Sequence, residues 1–134
     1  MSRPVNWPSR LAAFMQERRA TAFDWQTNNC ALFAADWIMR LTGRDPAADL
    51  RGRRWTQWSV AHWLREMGGL AALADARLGP RASVVSARRG DVVLTLIRHH
   101  PCLGICLGSR VAFISPGGLV LWPLTRGSAA WRID

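Results

Sequence analysis

The chain contains no lysine and no tyrosine, and only three of its 134 residues are cysteine. An odd cysteine count without a Cys-x-x-Cys pair argues against a secreted disulfide framework and against a zinc ribbon. No apolar run approaches the roughly 18 residues of a membrane span, and residues 1–8 lack the apolar core of a signal peptide. We therefore expect no membrane span and synthesis in the cytoplasm.

Arginine alone carries the net charge of +9, and eight tryptophans accompany only four phenylalanines. Arginine and tryptophan are both favoured by GC-rich codons, so we first interpret their abundance as a property of the genome. The alternative is a basic surface that meets nucleic acid, an anionic cell wall or an acidic partner protein. With 49% hydrophobic residues, the chain predicts one folded domain over residues 1–134 with a core of its own.

The first half of the chain, from about residue 8 to 78, has helical periodicity and helix-terminating residues. Four helices are predicted, at about 8–19, 30–41, 56–67 and 70–78. The second half, from 84 to 134, changes to short apolar runs separated by glycine-containing turns. Strands are predicted at 84–85, 92–97, 102–107, 111–115, 119–122 and 129–132, with a break at His99–Pro101. Helices followed by an antiparallel β-meander make an α+β domain.

Cys30 is the residue with the most distinctive chemical setting. It follows three possible N-caps, Thr27, Asn28 and Asn29, and so begins the second predicted helix. Backbone N–H groups and the helix dipole at such a position favour a thiolate over a thiol. The position therefore suits a catalytic nucleophile, which would need a histidine as its base.

Three segments resemble the NlpC-type cell-wall cysteine peptidases, which have a compact papain-like fold. Asn29–Leu32 stands where those enzymes open a helix with Asp-Cys-Ser-Gly, and Arg88–Leu94 matches their Gly-Asp strand start. Cys102–Gly108 matches their His-Val-Gly-Ile-Tyr-Leu-Gly strand. The resemblance implies N-terminal helices packed on a C-terminal antiparallel sheet, with Cys30 at the nucleophile position.

A closer resemblance is to small proteins of phage tail gene clusters that look like shortened relatives of these peptidases. The segments that carry it are 23–25, 42–48, 51–53, 88–91 and 130–132. It implies a virion protein near the tail tip, made in the bacterial cytoplasm, whose partners are hub or tail-tip subunits.

Within this resemblance the catalytic base is missing, because Cys102 occupies the position of the family's histidine. A thiol near neutral pH cannot replace imidazole as a general base. His100 is two residues away, on the same side of an extended strand, and is the only substitute we identify; the alternative is that it lies in an exposed turn. Ser115 is the nearest candidate for the residue that would orient a histidine.

Cys102 and Cys106 share strand parity, so their sulfurs and that of Cys30 could converge. Plain core packing, a Cys30–Cys102 disulfide and a soft-metal site are the three alternatives, of which we favour packing. No cofactor is predicted.

A basic, aromatic segment made of Arg51, Arg53, Arg54 and Trp55 suits an interface with a partner protein, and nucleic acid is the weaker alternative as its ligand.

Taken together, the sequence favours an inactive, papain-like structural or assembly component of a phage tail. The first alternative is an active cysteine hydrolase that cleaves peptidoglycan peptides, with Cys30 as nucleophile and His100 as base. The second is a basic nucleic-acid-binding module.

Overall fold

A computed structural model describes residues 3–134 and has an α+β architecture, as predicted. Four helices come first: α1 (Trp7–Arg19), α2 (Cys30–Thr42), α3 (Gln57–Glu66) and α4 (Leu70–Leu78). Five strands follow: β1 (Val92–Ile97), β2 (His100–Cys106), β3 (Arg110–Ser115), β4 (Gly118–Pro123) and β5 (Gly127–Trp131). The strands form one open antiparallel sheet in the order β4-β3-β2-β1-β5. Within residues 3–134, no helix combines the length and the apolar character needed to cross a membrane.

Local sequence signals fix both ends of α2. The Asn29 side chain accepts a hydrogen bond from the backbone N–H of Leu32 at 2.9 Å, so Asn29 is the N-cap among the three predicted. Gly43 ends the helix with a left-handed φ of 80°, a conformation that costs glycine no Cβ clash. These caps place Cys30 in the first position of the helix.

The prediction of a strand at Val84–Val85 is wrong, since residues Val84–Ser86 form a single 3-10 turn. The Ser83 hydroxyl accepts a hydrogen bond from the backbone of Val85, and the Ser83 carbonyl accepts one from Ser86 at 3.0 Å. Local serine bonding to the backbone therefore outweighs the β-propensity of two valines.

The predicted break at His99–Pro101 is also displaced. The turn between β1 and β2 consists of Arg98 and His99, with φ of 50° and 69°, and His100 already pairs with Ile97. A two-residue hairpin turn needs positive φ at both positions so that its twist matches that of the strands. His100 is therefore the first residue of β2, two positions before Cys102.

The predicted meander accounts for β1 to β4, whereas β5 crosses over to pair with β1. On one face of the sheet, α2 packs Phe33, Trp37 and Leu41 against β-strand residues that include Val92 and Ile105. The Trp37 indole N–H also donates to the Gly90 carbonyl at 2.8 Å. This packing holds α2 against the sheet and directs its N-terminus towards β2.

Asp91 is a fully buried carboxylate at the start of β1. It accepts hydrogen bonds from the Arg3 guanidinium at 2.7 Å, the backbone N–H of Arg88 at 2.9 Å and that of Ile133 at 3.2 Å. Burial of a charge is tolerated only when it is paired and hydrogen-bonded, as it is here. The Gly-Asp pair of the sequence therefore joins segments from both ends of the described chain.

Candidate functional site

The sheet is incompletely paired between β2 and β3. Only two residue pairs join these strands, Ile105 with Ala112 and Cys106 with Val111. At Gly104 the approach is so close that a Cβ atom would lie 2.6 Å from the Ala112 carbonyl oxygen. The pairing of β2 with β3 thus does not reach Cys102, and the unpaired parts of the two strands border a groove.

The groove has a volume of about 1280 Å³, larger than the usual pocket for a small ligand. Its walls come from the segment before α2, from α3 and the start of α4, and from the ends of β2, β3 and β4. Seven aromatic residues line it: Phe23, Trp25, Trp55, Trp58, Trp63, Phe113 and Trp122. Arg65, Arg98 and His100 also line it, whereas no aspartate or glutamate among residues 3–134 does.

Cys30 and Cys102 lie together in this groove. Cys30 is half-buried, whereas Cys102 is buried, and both are free thiols. The hydrogen bond from the Cys102 thiol is the main cause that lowers the pKa of Cys30, and backbone groups of Leu103 and Ala31 add to it against the opposing effect of burial. The same hydrogen bond, together with burial and repulsion by a Cys30 thiolate, raises the pKa of Cys102. Of the two sulfurs, Cys30 is the one that ionises first.

A family model described as a domain of unknown function, DUF6950, matches residues 2–133. The chain belongs to the DUF6950 family. No curated protein matches it. The match covers all four helices and all five strands, so the groove and its thiol pair lie wholly inside the DUF6950 domain.

No histidine of residues 3–134 is among the groups that shift the pKa of Cys30. His100 is exposed and lines the groove, as its position two residues before Cys102 on the same strand implies. His62 lies on the exposed side of α3, 3.1 Å from Glu66, and His99 lies in the hairpin turn. The two sequence candidates, Cys30 and His100, thus line the same groove.

Two polar residues of the groove, Asn29 and Ser115, make hydrogen bonds to nearby backbone. Asn29 donates to the Trp25 carbonyl at 2.9 Å, and its side-chain oxygen caps α2. The Ser115 hydroxyl donates to the Gly118 carbonyl at 3.0 Å. The first set of bonds fixes the start of α2 at Cys30, and the second stabilises the turn between β3 and β4.

Only two of the three sulfurs converge. Cys106 packs on the opposite face of the sheet with Val93 and Val111, and its sulfur is bonded to the backbone of Gly108. Within residues 3–134, no cluster of three or more His, Cys, Asp or Glu side chains could hold a metal ion. The described residues therefore do not bring the three sulfurs together as a soft-metal site would require, since Cys106 packs with Val93 and Val111, away from Cys30.

The predicted partner-binding segment divides into two parts. Arg51 bridges Asp36 and Asp45, at 2.6 Å to each, and so stabilises the loop after α2. Trp55 donates to the Leu50 carbonyl, packs against Trp63 and carries Arg53 over its outer face at 5.5 Å. Arg54 is exposed. Arg51 acts within the chain, so Arg53, Arg54 and Trp55 are the part of the predicted partner-binding segment that stays a prediction.

Sequence reasoning missed most of the aromatic wall of the groove. The sequence signal was the pair of tryptophans, Trp58 and Trp63, in the short helix α3. In the structure no residue of α3 is fully buried, and both tryptophans line the open groove rather than the centre of the core.

Proposed function

We propose that this DUF6950 domain is an assembly component of a phage or prophage tail, built on a papain-like scaffold that has lost its peptidase base. One feature supports this reading: the main influence on the pKa of Cys30 is the Cys102 thiol that shares its groove, and not an imidazole. Because the pKa of Cys102 is raised, that thiol does not accept the proton of Cys30 and gives no general-base assistance.

The tail assignment is supported by the resemblance of segments such as 42–48 and 88–91 to small proteins of tail gene clusters. The groove agrees with a docking role, because a wide aromatic depression with an exposed tryptophan is typical of protein interaction sites. Trp58 is 79% exposed, which is unusual for so large an apolar side chain unless a partner covers it.

Genetic complementation tests this role. The coding sequence is deleted from the phage or prophage that carries it, and wild-type or Cys30→Ala protein is supplied from a plasmid. We expect deletion to abolish tailed particles and Cys30→Ala to restore infectious titre to the wild-type level, since no thiol chemistry is required. Failure of a folded Cys30→Ala protein to restore titre would show that the sulfur is needed and would contradict the inactive-scaffold proposal.

A cysteine hydrolase acting on peptidoglycan peptides is the second candidate, favoured by the half-buried Cys30 with its lowered pKa at the start of α2. In that case His100 acts as the base that takes the proton of Cys30, the thiolate attacks a peptide carbonyl, and the imidazolium returns the proton to the leaving amine. Purified protein is incubated with muropeptides, and products are followed by liquid chromatography and mass spectrometry. The inactive scaffold predicts no cleavage, whereas cleavage lost in both Cys30→Ala and His100→Ala would establish the hydrolase.

A further inference from the structure

We propose that the groove beside Cys30 binds a segment of a partner protein that carries aromatic or aliphatic side chains next to carboxylates. This inference rests on the proposed assembly role and specifies the chemistry of the partner. It follows from two independent properties of the groove, its aromatic walls and its one-signed charge.

The aromatic walls supply the apolar anchor sites. Phe113 and Trp122 meet edge to face, with ring centroids 5.5 Å apart, on the sheet side, and Trp55 and Trp63 do so at 5.7 Å on the helical side. Trp58 also lines the groove and is 79% exposed. Tryptophan-lined depressions of this kind hold the few buried side chains that dominate a protein interface.

The positive charge of the groove favours apolar partner segments that also carry carboxylates. Arg65, in the last turn of α3, and Arg98, in the β1–β2 turn, line the groove on its helical and sheet sides. Neither guanidinium forms an ion pair with an acidic residue of the described chain, although Arg3, Arg18 and five other arginines do. A carboxylate at either position would gain a charge-assisted hydrogen bond, and a cationic partner would be repelled.

The same observations disfavour two other possible occupants of the groove, a second copy of this chain and a nucleic acid strand. A second copy of the chain also carries +9 and would bring further arginines to a groove without carboxylates. A nucleic acid strand needs a row of cations along its backbone and free aromatic faces for stacking. Here two arginines line an aromatic groove in which two of the tryptophans, Trp55 and Trp63, already pack on each other.

Selection from a random peptide library displayed on phage particles tests the proposal directly and requires no candidate partner protein. The purified chain is the bait, and selected peptides are synthesised and measured by calorimetry. We expect a consensus that combines Trp, Phe or Leu with Asp or Glu. Trp58→Ala and the double variant Arg65→Glu/Arg98→Glu should each weaken binding by about tenfold or more. Arg44→Glu, an exposed arginine outside the groove, is the matched control and should leave binding unchanged.

Several results would overturn the proposal: no enriched consensus, a consensus without carboxylates, or full binding by the double variant. Binding of fluorescein-labelled oligothymidine that is lost in Trp58→Ala would assign the groove to nucleic acid instead. Circular dichroism melts confirm that each variant is folded. If peptides bind as expected but tails assemble without the gene, only the tail role fails. If tails need the gene but tolerate the double variant, only the groove proposal fails.

Discussion

At the scale of single residues, the lowered pKa of Cys30 comes mainly from the neighbouring Cys102 thiol and not from a histidine base. The N-terminus of α2 favours the thiolate in the same direction. An activated sulfur and a working peptidase site are therefore separable: the first needs only a donor and a helix end, whereas the second needs a group that accepts and returns a proton.

Removal of Cys102 should raise the pKa of Cys30, because the donor that is the main cause of the lowering is lost. The alkylation rate of Cys30 by iodoacetamide, which follows its thiolate fraction, should then reach its plateau at a higher pH in Cys102→Ala than in the wild type. Peptide mass spectrometry assigns the labelled cysteine at each pH. Cys106→Ala is the control, since its sulfur lies on the other face of the sheet, and it should leave the profile unchanged. An identical profile in Cys102→Ala would contradict the assigned hydrogen bond.

At the scale of secondary structure elements, the close approach of β2 and β3 beside the groove depends on Gly104. This glycine lets β3 approach β2 closely just before the two strands lose their pairing and open into the groove. An alanine Cβ there would lie 2.6 Å from both the Ala112 carbonyl oxygen and the Val111 side chain, so the strands would have to separate.

Gly104→Ala should lower the free energy of unfolding by about 1–3 kcal/mol, the usual cost of overpacking a core. Urea denaturation followed by tryptophan fluorescence measures the change. Gly117→Ala is the matched control, since the nearest atom to its new Cβ would be 3.8 Å away, and it should stay within about 0.5 kcal/mol of the wild type. Equal stability of the two variants would show that β2 and β3 are not in such close contact.

Elements with local signals were predictable from the sequence, and the site was only partly so. Asn29 and Gly43 cap α2 as predicted, and Val92–Ile97 forms β1 over the predicted residues, because capping and alternation are local properties. The turn at Arg98–His99 was misplaced because positive φ at a histidine is set by the pairing of β1 with β2. The aromatic wall was missed because Trp58 and Trp122, 64 positions apart in the sequence, meet only through the fold.

At the scale of the whole molecule, Asp91 joins the N-terminal segment, β1 and the segment after β5. Its carboxylate has three hydrogen-bonded partners far apart in sequence, and the Arg3 guanidinium also donates to the Ile133 carbonyl at 2.8 Å. Asp91→Ala would leave the mostly buried Arg3 guanidinium and a buried backbone N–H without their acceptor.

We expect Asp91→Ala to lower the free energy of unfolding by about 3–5 kcal/mol, the cost of breaking a buried ion pair. Asp134→Ala removes an exposed carboxylate that pairs with Arg88 at 3.3 Å, and it should cost less than about 1 kcal/mol. Thermal melts at constant pH and salt compare the two. A small effect of Asp91→Ala would mean that the carboxylate is dispensable for joining these segments.

The crossover of β5 to the side of β1 has a consequence for how the protein is made. β1 lies between β2 and β5, yet β5 is synthesised after every other strand. On the ribosome, the side of β1 that β5 covers therefore has no strand partner until Gly127–Trp131 has been synthesised. An unpaired strand edge invites association with other nascent chains. Pairing of β5 is thus the step that turns β1 from an edge strand into an interior one.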